Sequence, residues 1–243
     1  MSSSAPSSPD SLFSELSEAP SSPEQVSCPA ASRSRPPIPG LYVFPSLIPE
    51  SISQRALQAI GDDDLFHGGV RDQVMLFEPP TSQTTRKPLP SYMTSLLSSL
   101  RNLISNSIPP QVGSVVFKQD LARQVIVNLY APGQGISSHI DLPNRYADGI
   151  IGCSLIGGCV MSFSRPVPDS DCASELEVYR VYLPPRSIYI LSGAARWEWA
   201  HGIAGSLEDV VEREDGEGED TLLRDLRVSV TFRWMKDGAD VLS

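Results

Sequence analysis

The chain has 243 residues, 40% of them hydrophobic and 20% charged, with a formal net charge of -10; that length suits one sizeable domain with tails. No apolar run approaches the length of a membrane span, and the N-terminal stretch carries acids and no apolar h-region, which excludes a signal peptide or a typical transit peptide. The expectation is a protein of the cytoplasm and/or nucleus with no membrane contact. The negative charge is local: Leu207 to Asp220 carries eight acids against Arg213, and residues 1–37 carry four acids against Arg33 and Arg35. The remainder is close to neutral, so global charge neither supports nor excludes a polyanionic substrate.

In chain order, residues 1–37 are dominated by Ser, Pro, Ala and acids, a composition that cannot bury enough apolar surface to offset its ordering entropy. They are expected to be a disordered tail, with the folded domain over 38–237 and a short tail over 238–243. Ile38 to Phe44 reads as a short strand. A helix follows over about Ser51 to Ile60, with Ile52, Ala56, Leu57 and Ile60 on one side. His67 to Pro80 contains the Gly68-Gly69 pair and a strand at Gln73 to Phe77. Pro90 to Ile104 is a helix whose Met93, Leu96, Leu97, Leu100, Leu103 and Ile104 form an i, i+3, i+4, i+7 stripe.

Beyond Pro109-Pro110 the pattern becomes short strands: about Val115 to Lys118, Gln124 to Tyr130, Ile150 to Leu155, Val160 to Phe163, Leu176 to Leu183, Ser187 to Leu191, Arg196 to His201 and Leu226 to Met235. Residues 207–220 interrupt the last two as an acidic, flexible insertion. Regularly spaced strands after early helices predict an α+β fold, a jelly roll with helices packed on one side. Cys28, Cys153, Cys159 and Cys172 show no C-x-x-C pair, which argues for reduced thiols and against structural zinc.

The chemistry-bearing stretch is Gln124 to Asp141, QVIVNLYAPGQGISSHID. Its strand puts Asn128 and Tyr130 on one face, Ala131 to Gly135 reverses the chain, and His139 and Asp141 follow two apart, aiming an imidazole and a carboxylate at one point. The only other histidines are His67 and His201. A second histidine brought to the His139-x-Asp141 pair would give two imidazoles and one carboxylate on one face of a metal, with three positions left for other ligands. His201 stands in the run Trp197-Glu198-Trp199-Ala200-His201, whose alternation predicts Trp197, Trp199 and His201 on one strand face. Arg227 and Arg233, six apart on a later strand, share a face and with Asn128 and Tyr130 suit a small dicarboxylate.

The ordered set NLY, PGQGI, HID, a distal histidine and RVSVTFR resembles the AlkB family of iron(II)- and 2-oxoglutarate-dependent dioxygenases over roughly Ile38 to Lys236. Within it, YAPGQGISSHIDLPNRYADGIIGCSLIGGCVMSF and RWEWAHGI look most like the AlkB-type domain of the eukaryotic tRNA wobble-uridine hydroxylases. The resemblance implies a double-stranded β-helix, with Fe(II) held by His139, Asp141 and His201 and with 2-oxoglutarate and dioxygen as co-substrates. By the same resemblance, Arg227 and Tyr130 grip the far carboxylate of 2-oxoglutarate, and Asn128 and Arg233 lie near its metal-bound end. Arg71, Gln73 and Phe77 match a lid over the target nucleotide, and Trp199 stands two residues before a ligand where it could line the pocket, although core packing suits it better.

The implied reaction is hydroxylation or oxidative demethylation of a modified base in RNA or DNA, with tRNA favoured; oxidation of a protein side chain is the alternative. Ser229 stands where several relatives carry Asn, and Pro143 where bacterial AlkB has an acid that meets the alkylated base, which argues against a simple transfer of DNA-repair specificity. Ten residues follow Arg233. The expectation is that RNA-recognition and methyltransferase domains are absent from this chain and that a tRNA-binding surface comes from a partner protein or from the lid.

Overall fold

The computed structural model describes residues 29–80, 88–167 and 175–239. Residues 1–28 of the expected tail, Cys28, Cys172 and residues 240–243 lie outside the described residues. A six-stranded antiparallel sheet has the order β1 (Leu41–Phe44), β8 (Ile188–Leu191), β5 (Ile150–Ile156), β12 (Arg227–Trp234), β3 (Arg123–Tyr130), β2 (Gln73–Glu78). A four-stranded sheet faces it, ordered β4 (Ile136–His139), β9 (Ala200–Ile203), β6 (Cys159–Pro166), β7 (Leu176–Leu183). Helices α1 (Glu50–Asp62) and α2 (Ser91–Ile104) cover the outer side of the larger sheet, so the molecule is the jelly roll with a helical layer.

Strand alternation explains why three layers form. Along β3, Val125 and Val127 pack with Met93, Leu96 and Leu100 of α2, while Ile126, Asn128 and Tyr130 face the opposite way into a cleft between the sheets. β12 repeats the rule: Val228, Val230 and Phe232 join the helical core, and Arg227, Ser229, Thr231 and Arg233 face the cleft. With period-2 side chains, a strand buried on both faces can send one set to a hydrophobic core and the other to chemistry. A second apolar cluster, including Leu191, Phe163, Leu183 and Trp199, fills the rest of the space between the sheets and meets the cleft at Ile150 and Met161.

Four expectations differ from the structure. Val115 to Lys118 belongs to helix α3 (Pro110–Phe117), not a strand. Pro110 starts that helix, where proline's fixed φ fits and its missing N–H costs nothing, and Val112 and Val116, one turn apart, pack into the helical core. The strand expected over Arg196 to His201 is a helical turn, α4 (Ala194–Trp197), followed by β9. Gly193 takes a positive φ and its carbonyl accepts from the N–H groups of Arg196 and Trp197, so the two tryptophans do not share a strand face with His201.

The segment 207–220 is not a flexible insertion. It forms most of a hairpin, β10 (Glu208–Glu212) with β11 (Glu219–Leu223). Its acid count conceals an inward alternation of Asp209, Val211 and Leu222; Val211 packs with Val160 and Ala31, and Asp209 forms a buried ion pair with Arg224 at 2.7 Å. The folded part also begins before Ile38. Ala31 and Ser32 form parallel bridges to Val211 and Val181, lying between β7 and β10, and Arg33 reaches Glu214 and Asp220. Composition hides this because only two residues need pair for the segment to be held.

Candidate active site

The site is assembled where β3 turns into β4. The reversal closes on itself: Ala131 N–H donates to the Gln134 side chain at 2.7 Å and Gln134 N–H to the Ala131 carbonyl at 3.0 Å. Beyond it, β4 lies tightly on β9. A Cβ at Gly135 would collide with the Ile203 carbonyl, and one at Gly202 with the backbone of Ser138. These two glycines permit the register that places His139 opposite His201, with ring centroids 4.7 Å apart. Asp141 follows two residues after His139.

One ligand atom from each of His139, Asp141 and His201 lies within 4.8 Å of the others. His139 Nδ1 is 2.8 Å from the Ser137 carbonyl, an oxygen that can only accept, so Nδ1 is engaged there and Nε2 is the ring nitrogen left as a ligand atom. Burial holds His201 down to about 4, so the ring is neutral near pH 7. Its Nδ1 is buried without a partner among the described residues, and its Nε2 is 3.7 Å from Asp141 Oδ2, too far for a hydrogen bond. Burial alone would raise the Asp141 carboxyl, but Arg233, His201, His139 and Arg196 outweigh it and hold the group below the usual carboxylate range. An ionised carboxylate and two imidazoles, that of His201 neutral and otherwise unsatisfied, fit a divalent iron with an open face.

Arg227 sits deeper in the same cleft and is 4% exposed. Its Nε and Nη2 donate to Ser154 Oγ at 3.1 and 3.0 Å, its Nη1 lies 3.4 Å from Ser229 Oγ, and its guanidinium is 5.2 Å from the Tyr130 ring centroid. Burial pushes the Tyr130 phenol up to about 12, against the opposing pull of Arg227, so the hydroxyl remains a donor. No acid pairs with Arg227 among the described residues. A buried guanidinium surrounded by hydroxyls alone is an incomplete arrangement that a carboxylate would complete.

Arg233 is placed differently. It donates to Asp141 Oδ1 and, at 2.7 Å, to Gln124 Oε1, and it stacks 3.6 Å from the centroid of Tyr146. Its charge is therefore already matched by the carboxylate that faces the histidines.

The structure gathers His139, Asp141, His201, Asn128, Tyr130, Arg227, Arg233 and Gln73 around one open cleft. Gln73 donates to Asn128 Oδ1 at 3.0 Å, tying β2 to the site. Arg71 is exposed outside the cleft lining. Phe77 packs against the Ala122, Tyr146 and Met235 cluster. Trp199 is buried between the sheets, 5.5 Å from Tyr179 by ring centroids, and does not line the cleft. Two contributors escaped the sequence reading. Tyr189 lines the cleft and its hydroxyl lies 3.5 Å from Thr231, and Ser154 holds Arg227. Both were legible in principle, since they occupy the phase of β8 and β5 opposite to the helix-facing isoleucines and Cys153.

Residues 75–233 match the family described as the 2OG-Fe(II) oxygenase superfamily, and the chain belongs to that family. It is an Fe(II)- and 2-oxoglutarate-dependent dioxygenase by that family and its ligand set, and it is similar to ALKBH8 and ALKBH6 proteins. It is 30% identical over 220 residues to the Arabidopsis thaliana "Alkylated DNA repair protein ALKBH8 homolog", covering 82% of this chain and 59% of that one. It is 38% identical over 120 residues to the Xenopus tropicalis "tRNA (carboxymethyluridine(34)-5-O)-methyltransferase alkbh8", covering 45% and 18%. An uncharacterized protein of Acanthamoeba polyphaga mimivirus, L905, is 33% identical over 160 residues, covering 65% and 64%. The chain thus spans less than two thirds of each of these relatives. Among solved structures, a prolyl hydroxylase of Trichoplax adhaerens shares the fold at a TM-score of 0.50 and 14% identity, over 84% of this chain and 87% of that one.

Proposed function

We propose that this dioxygenase hydroxylates or oxidatively demethylates a modified base in nucleic acid, with RNA, and tRNA in particular, the favoured polymer. The observation that carries the reading is the cleft in which His139, Asp141 and His201 converge beside a buried arginine with no acid partner among the described residues, in a chain similar to AlkB-type proteins. His139, Asp141 and His201 hold the iron. Arg227, with Ser154, Ser229 and Tyr130, grips the far carboxylate of 2-oxoglutarate, and Asn128 and Arg233 border its other end. Iron and 2-oxoglutarate, when bound, would supply oxidative hydroxylation in which one oxygen atom of dioxygen enters a substrate C–H bond and the other enters succinate, with carbon dioxide released; a hydroxylated N-methyl group then loses formaldehyde.

The protein's share is to fix the ligands, exclude water from the anion well and leave the cleft mouth open. Gln73 on β2 meets the incoming base, and the exposed Arg71, two residues before that strand, meets the polymer. A partner protein contributes further RNA-binding surface, consistent with the near-neutral charge outside the hairpin and the tail.

The test is incubation of the iron-loaded protein with bulk tRNA, methylated RNA and DNA oligonucleotides and a peptide library, followed by nucleoside mass spectrometry. A hydroxylated nucleoside or released formaldehyde, lost in His139→Ala, is expected. Succinate release stimulated by peptides, with every nucleoside unchanged, would replace this reading with protein side-chain oxidation.

A further inference from the structure

Arg196 is a buried cation that takes no part in the cleft. It is 2% exposed and does not line the site, yet its guanidinium is almost fully used. Nη1 donates to the backbone carbonyl of Asp141 at 2.9 Å, Nη2 to that of Tyr146 at 3.1 Å, and Nε to that of Ala147 at 3.2 Å. The Trp197 ring covers it at 4.2 Å. The three acceptors lie at the two ends of the loop that follows β4, and the first belongs to the residue whose carboxylate faces the histidines. The backbone of Arg196 lies in α4, five residues before His201. A second tie runs the other way: the Asp148 carboxylate accepts from Gly193 N–H at 3.1 and 3.2 Å.

We propose that Arg196 is a positioning residue for the metal site. It locks the backbone of Asp141 to the segment that leads into His201, and so fixes the distance between carboxylate and imidazole before any metal binds. The proposal rests on the reading of His139, Asp141 and His201 as ligands. A planar fork with donors in three directions can hold carbonyls from both ends of a loop at once, whereas the ammonium of a lysine is a compact point charge on a flexible stem. Loss of the fork frees the Asp141 backbone without removing a ligand, and outer partners of this kind contribute roughly 10- to 100-fold in metal affinity.

The experiment titrates metal-free protein with Co(II), reading affinity by equilibrium dialysis and ligand geometry by visible absorption, in wild type, Arg196→Lys, Arg196→Met and His139→Ala. Circular dichroism and thermal melting of each metal-free protein run in parallel. Arg196→Lys is expected to keep the wild-type far-ultraviolet spectrum, to bind Co(II) about 10- to 100-fold more weakly, and to show an altered absorption band even at saturating metal.

A purely structural arginine would lower the melting temperature and leave the saturated spectrum unchanged, and that result overturns the proposal. So does wild-type affinity in a folded Arg196→Lys protein, or failure of both Arg196 variants to fold, which would make the residue a general support. If Arg196→Met alone does not fold, Arg196→Lys decides. Equal Co(II) binding by wild type and His139→Ala refutes the ligand assignment instead and is distinguishable from all of these.

Discussion

Arg227 and Arg233 look alike in sequence, six residues apart on one strand face, but the structure gives them different partners. Arg233 is matched by Asp141, while Arg227 has hydroxyls and no acid among the described residues. Arg227→Met is therefore expected to raise the KM for 2-oxoglutarate strongly, on the order of 100-fold for a loss of roughly 3 kcal/mol when a buried charge-assisted contact disappears. Succinate formation measured against co-substrate concentration checks this, and Co(II) affinity is expected to stay within a few-fold of wild type.

His201 sets a pH dependence in the metal-free protein. Its ring titrates near 6.5 in the unfolded chain and near 4 when folded, because burial disfavours the charged form. Between those values only the unfolded chain takes up the proton, so acid favours unfolding. The stability from this group is fully present above about pH 6.5, falls as pH drops towards 4, and falls no further below. The loss is on the order of 3 kcal/mol. Urea unfolding of the metal-free protein at pH 7 and pH 4.5 checks it, with His201→Asn expected to flatten the difference.

At the level of elements, the two histidines meet because β4 and β9 come close enough for Gly135 and Gly202 to be required. Gly135→Val is expected to push β4 off β9 and abolish tight metal binding in a protein that keeps the helix-facing core and a near-native circular dichroism spectrum; Co(II) titration reads the outcome. The H-x-D spacing and the strand carrying the arginines were legible because period-2 alternation and residue chemistry agree there. The α3 segment was not, because Val115, Val116 and Phe117 have strand propensity while the prolines before them start a helix. The stretch before His201 failed for a related reason. Alternating tryptophans suggest a strand, but the positive φ of Gly193 turns the chain into a helical turn, and the ring of Trp199 goes to the core.

For the whole molecule, the sequence conveyed the layering, since the α2 stripe and the strand series each bury one predictable face. It did not convey how the rim is closed. The acids of the β10–β11 hairpin suggested a solvated loop, yet the buried Asp209–Arg224 pair and the inward Val211 and Leu222 tie that hairpin to the domain. A chain beginning at Ile38 is expected to keep Co(II) binding but to melt several degrees lower, roughly 2–4 °C for each kcal/mol lost in a domain of this size; differential scanning calorimetry of the two lengths checks it.

The bridged pair Ala31 and Ser32 also bears on how the protein folds. It precedes every named strand and helix in the chain, but its hydrogen-bond partners at Arg180, Tyr182, Val210 and Glu212 lie in the later half of the sequence. Closure of this rim is accordingly a late event of high sequence separation, the slow kind of pairing. Until it happens two strand margins stay uncovered, and the incompletely folded molecule is most exposed to wrongful association with its own copies during that interval.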